Sequence, residues 1–214
     1  MRIIQVIGLS IAALSSLPLL AQPANSAGPI ANLVTNRPLY QTQIKHVGGP
    51  GLLPADFAYV TFQTNKFGFV MPPGFRLETA DPLKVTLVSA DLSCLLSFRV
   101  LDSAPAGGAE LDHATYRELL LARHPGGRIL EEFSLPAVSR RGPAFDLRWN
   151  ATGGVPRRER VLFIPTAAGV LEFSVLSSLE KFEAGREAFS ALLVTFRTTE
   201  ADGRLIMPVM SDRL

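Results

Sequence analysis

From Phe57 onward, apolar and polar residues alternate in short runs. "FAYVTFQT" (57–64) alternates as a half-buried strand does, and "KFGFVM" (66–71) sets Phe67, Phe69 and Met71 on one face. Pro72 and Pro73 donate no amide hydrogen to a ladder, and Gly74 permits a tight reversal, so this stretch predicts a corner. "KVTLVSA" (84–90) and "CLLSFRVL" (94–101) follow as strands joined at Asp91-Leu92-Ser93, the second with Cys94, Leu96, Phe98 and Val100 on one face. Asp112 is the expected N-cap of a helix, "HATYRELLLAR", in which Tyr116, Leu119, Leu120 and Arg123 recur at helical spacing. "HPGG" (124–127) ends it. Strands are then expected at 128–135, 144–149, 158–164 and 169–177, with "NATGG" and "TAAG" as turns joining the last three as antiparallel neighbours. Phe182, Phe189, Leu192, Leu193 and Phe196 define one face of a closing amphipathic helix, weakened by about 1 kcal/mol at Gly185.

The N-terminus follows a different pattern. Arg2 precedes an apolar run, Ile3 to Leu20, interrupted by Gln5, Ser10, Ser15, Ser16 and Pro18 and followed by small residues. A positive start, a short apolar stretch and a small-residue exit read as a secretory leader, cleaved after Ala21 or Ala27. A membrane anchor would need about 20 uninterrupted apolar residues. The expected product is exported, periplasmic or extracellular, without stable membrane insertion after cleavage. Residues 28–56, rich in proline and glycine, read as an extended linker or arm. The chain thus divides into a leader (1–27), an arm (28–56), a domain (57–199) and a tail (200–214) that carries the apolar patch "LIMPVM".

Composition narrows the chemistry. The chain has 214 residues, 47% hydrophobic and 19% charged, which suits one globular domain with additions. Its net charge of +2 gives no basic footprint for nucleic acid. The lone cysteine, Cys94, excludes an intrachain disulfide and a multi-cysteine metal site. His46, His113 and His124 lack metal-ligand spacing, and the last two would stand about 16 Å apart along a helix. No serine sits in a G-x-S-x-G elbow, and no base can be placed beside Cys94. The sequence therefore predicts no cofactor, no metal and no catalytic constellation. Arginine is the exception to this plainness: Arg140, Arg141, Arg148, Arg157, Arg158 and Arg160 fall within 21 residues that contain only Asp146 and Glu159 as acids. Two readings fit. One is an anionic docking patch for an acidic protein, a lipid headgroup or a glycan. The other is a sheet edge kept soluble by charge.

The element order and two phrases resemble the Mog1/PsbP-like superfamily. The first phrase is "FGFVMPPGF", through Phe67, Phe69, Pro72, Pro73, Gly74 and Phe75, where the family more often has tryptophan at the position of Phe75. The second is "ALLVTFRTT", with Thr195-Phe196. The likeness spans residues 57–199 and implies an α+β fold, a central antiparallel sheet flanked by helices in an α/β/α sandwich. It also implies an accessory role, since members bind or stabilise larger proteins; no functional residue carries over. The expectation is a non-catalytic exported accessory protein with a protein partner in the cell envelope. Its candidate contacts are Arg148, Arg157, Arg158, Arg160 and Phe75. The alternative is a ligand carrier or enzyme with a pocket lined by Phe98, Trp149 and Phe173.

Overall fold

The computed structural model describes residues 40–49, 52–78, 81–101, 112–166 and 169–198. The leader, residues 28–39 of the arm and the tail lie outside the described residues. The chain divides into units 1–36 and 37–214, and every described residue belongs to the second.

The described residues are mostly antiparallel sheet, with two helices. In chain order the strands are β1 (Tyr40–Gly49), β2 (Leu52–Phe62), β3 (Asn65–Val70), β4 (Phe75–Glu78), β5 (Val85–Ser89) and β6 (Cys94–Leu101). Helix α1 (His113–Arg123) precedes β7 (Arg128–Ala137), β8 (Arg140–Asn150), β9 (Pro156–Thr166) and β10 (Gly169–Ser178). Helix α2 (Phe182–Thr195) and the two-residue β11 (Arg197–Thr198) close the described chain. One sheet has the order β1-β2-β3-β11, the other β4-β5-β6-β10-β9-β8-β7. The single central sheet expected from the sequence is thus accompanied by a second one. Residues 40–49 and 52–56, expected within an extended arm, are instead strands of that second sheet.

The "FVMPPGF" corner connects the two sheets. β3 ends before Pro72, which cannot extend the ladder. Gly74 takes φ +77, a left-handed conformation that costs glycine nothing, and the Phe75 amide donates to the Pro72 carbonyl at 3.1 Å. The chain leaves the small sheet at Val70 and enters the large one at Phe75.

Each face of the seven-stranded sheet has its own core. On one face Leu96, Phe98, Leu171, Phe173 and Val175 pack with Phe189, Leu192 and Leu193 of α2 and with Val60, Phe62, Phe67 and Phe69 of the small sheet. Phe196 lies at its centre, stacked on Phe69 at 5.8 Å and edge-on to Phe98 at 5.0 Å. On the other face Tyr116 and Leu120 of α1 cover Phe145, Leu147, Val161 and Phe163. Alternation along β8 explains the division: Ala144 faces the first core, Phe145 and Leu147 the second.

Local signals set the helix limits. The Asp112 carboxylate accepts from the Thr115 amide at 2.7 Å, which also holds its carboxyl below the ordinary range. The His124 amide closes α1 on the Leu120 carbonyl at 3.2 Å. Gly185, unfavourable for α2 by propensity, sits where the helix approaches the sheet closely: a Cβ there would stand 3.0 Å from Cys94 Sγ and 3.1 Å from a Val175 methyl.

Candidate functional site: the arginine end of three strands

The turn after β8 is closed by Ala151 donating to Val155 at 2.8 Å and Gly154 donating to Ala151 at 2.9 Å. That turn sets the β8–β9 register, and the register decides what each arginine does. Asp146 stands opposite Arg160, Arg148 opposite Arg158, and Trp149 opposite Arg157. On the other side of β8, Arg128 of β7 stands opposite Arg148.

Asp146 is fully buried. A carboxylate there needs strong partners, because desolvation disfavours an uncompensated charge. Arg160 supplies them through Nε to Oδ1 at 2.6 Å and Nη2 to Oδ2 at 2.8 Å, and Arg158 adds Nη2 to Oδ2 at 3.3 Å. Both guanidinium groups also lie on aromatic rings, Arg160 over Phe133 at 4.6 Å and Arg158 over Phe182 at 4.1 Å. These two candidates are therefore bound into the fold. Of the other arginines in the run, Arg140 donates to the Pro165 carbonyl and Arg141 to that of Ser134.

The strand ends beyond Asp146 are different. Arg128 and Arg148 are exposed and Arg157 is half-buried. None of the three has an ion pair, hydrogen bond or ring contact, a condition shared among the described arginines only by Arg76, on the far edge strand β4. Arg128 and Arg148 are directly opposed across two paired strands, where like charges repel. Together with Gly126, Trp149 and Asn150 they line an open groove of about 350 Å³. Sequence reasoning missed Arg128, whose only signal is its place just after Gly126-Gly127, at the start of a strand.

The floor of this end is rigid. Trp149 stacks on His124 with centroids 4.5 Å apart, and His124 Nε2 lies 3.1 Å from Glu159 Oε2. Arg123 and Arg99 both pair with Glu172, at 2.7 Å and 3.0 Å, fixing the C-terminal end of α1 to the sheet. Gly127 fits because a Cβ would press on the His124 carbonyl and on Trp149.

Phe75 opens β4 and packs half-buried against the first core. The pocket expected of a ligand carrier does not form as drawn. Phe98 and Phe173 are fully buried in the first core, whereas Trp149 packs with the second. The histidines stay apart, His46 with Asp56, His113 beside Phe145 and His124 with Glu159. Among the described residues no cluster of histidine, cysteine and acidic side chains is suited to a metal. Burial, with the Asp91 charge adding to it, pushes the Cys94 thiol up to about 11, the opposite of an activated nucleophile.

No family model and no curated protein matches the chain. Solved structures are similar, three among them as follows. A cyanobacterial PsbP from Synechocystis sp. shares 13% identity over 62% of this chain and 86% of its own, with a TM-score of 0.48. PA94 of Pseudomonas aeruginosa, described as a putative regulator of unknown function, shares 13% over 69% and 91%, with a TM-score of 0.39. LpqN of Mycobacterium tuberculosis, described as involved in cell envelope biogenesis, shares 14% over 80% and 97%, also at 0.39. These likenesses are distant, so the functional reading rests on the arginine end itself.

Proposed function

We propose that this protein is an exported, non-catalytic accessory protein that docks an acidic segment of a cell-envelope protein on the ends of β7, β8 and β9. The observation that carries this reading is the pair Arg128 and Arg148, exposed, without counter-ions, opposed across paired strands and lining one groove. Evenly solvated charges suffice for a soluble edge. A like-charged cross-strand pair costs stability, and a bound carboxylate relieves that cost. Arginine suits the task because its planar fork meets a carboxylate through two parallel hydrogen bonds. The rigid Trp149–His124 floor keeps the groove formed before the partner arrives.

On this reading residues 1–27 are the export leader, and α1, the large sheet and α2 are the layers of a docking module. No helix of the described residues is long and apolar enough to cross a membrane. The test is crosslinked capture from native cells, comparing the wild type with Arg128→Ala/Arg148→Ala/Arg157→Ala. The expected result is one saturable acidic partner, lost with the triple variant while its melting temperature is no lower than that of the wild type. The same partner captured by both proteins would refute the site.

A further inference from the structure

Among the described residues the two sheets have four edges, and three of them are blunted. β4 has 4 residues and β11 has 2. β7 is longer, but it carries Glu131, Glu132 and Pro136 and is bulged between Ile129 and Glu131. Short strands, charges, proline and bulges are the means by which proteins keep sheet edges from pairing. β1 has 10 residues, no proline and a single lysine, and its register with β2 is regular as far as Val47. Residues 43–48 are exposed, with Ile44 at 48% and Val47 at 47%.

β1 has no strand on its outer side among the described residues. On its inner side it is supported: Ile44 and Lys45 pair with Ala58 and Phe57, which pair in turn with Phe69 and Val70 of β3, and the Met71 amide donates to the Asp56 carbonyl at 2.8 Å. His46 pairs with Asp56 at 2.9 Å, and Lys45 lies over Tyr59 at 5.1 Å. The outer row of backbone groups on β1 is therefore held in place and presented for pairing.

We propose that the strand that pairs with this edge is β1 of a second copy, antiparallel about a two-fold axis at Ile44. Such an axis, perpendicular to the sheet, keeps each side chain on its own face, so only residues of equal parity oppose one another. Centred on Ile44, the pairing sets Ile44 against itself, Lys45 against Gln43, His46 against Thr42 and Val47 against Gln41. No like charges meet, and an exposed apolar residue is covered by its own equivalent. Centring on Lys45 would oppose two ammonium groups. Centring on Gln43 would leave Ile44 against Thr42. The self-complementary register favours a second copy over an unrelated strand.

The test combines sedimentation with crosslinking of the purified full chain. The wild type should sediment as a concentration-dependent dimer, and Ile44→Lys should weaken association by about tenfold or more without loss of the circular dichroism spectrum. Under mild oxidation Ile44→Cys should give a disulfide dimer and Gln43→Cys much less, since residue 43 faces residue 45. Native Cys94 is buried and leaves this readout clean. A monomer at every concentration, a dimer indifferent to Ile44→Lys, or equal crosslinking of the two cysteines would each overturn the proposal.

Discussion

From Gly142 to Leu147 every residue of β8 is buried, whereas Arg148 and Asn150 face solvent and Trp149 is half-covered. Both halves have arginines beside them. Next to the buried half, Arg160 and Arg158 converge on one fully buried carboxylate. At the open end, Arg128, Arg148 and Arg157 stand on neighbouring strands with no acid opposite. The residue type is the same and the separation is one or two positions along the strand. What differs is register: Asp146 falls opposite Arg160, and no equivalent carboxylate falls opposite Arg148. An arginine cluster is therefore neither structural nor functional as a whole; each guanidinium takes the role its cross-strand neighbour leaves it.

The sharpest way to break this contrast is Asp146→Ala. It leaves two guanidinium groups without their buried partner and should cost about 3–5 kcal/mol in urea unfolding. A loss under 1 kcal/mol, read against the ~1 kcal/mol of an exposed pair, would show that the inner arginines are no more structural than the outer ones.

Gly142→Ala tests the closed half without touching charge. A Cβ there would collide with the Phe163 carbonyl oxygen of the neighbouring strand. Overpacking of this kind costs about 1–3 kcal/mol or more, so the melting temperature should fall clearly. At the open end the sign reverses. Arg128→Ala removes one member of a like-charged pair and should raise stability by a few tenths of a kcal/mol, an effect that salt shrinks.

The smallest effect sets an exposed carboxylate beside the buried one. Asp91, in the β5–β6 turn, accepts from the Ser89 and Ser93 hydroxyls at 2.7 Å each. These bonds, Ser89 first, lower its pKa from 3.8 to about 2. A lowered folded pKa gives stability that is present above 3.8 and lost as pH falls toward about 2. Carboxyl NMR should place its titration in that low range, and Asp91→Asn should flatten acid unfolding there.

Most elements were legible because their cores are one-sided. β6 alternates buried and half-buried along its whole length, and the sequence shows the same alternation at Cys94, Leu96, Phe98 and Val100. The caps at Asp112 and the stop at His124 were legible for the same local reason. β1 was not, because its outer half is exposed on both faces and shows no apolar period. β4, with four residues after a Pro-Gly turn, was too short to produce one. The two phrases behind the family likeness prove to be neighbours in space. The Val70 amide donates to Thr195 Oγ1 at 3.2 Å, Phe67 and Phe69 pack on Phe196, and Arg197-Thr198 pair with Gly68 and Phe67. For the arginines, residue order pointed to the right hairpin but did not set Asp146 opposite Arg160. Cross-strand register is a long-range property, and Arg128 belongs to the site only through it.

The most direct measurement is site-specific photo-crosslinking in native cells, with the photoreactive residue at Asn150 in the groove and, as a control, at exposed Val194 on α2. The account predicts one acidic envelope protein attached at position 150, absent at 194 and lost when Arg128 and Arg148 are replaced by alanine. Identical products at both positions, or a product at 150 that survives loss of the arginines, would contradict it.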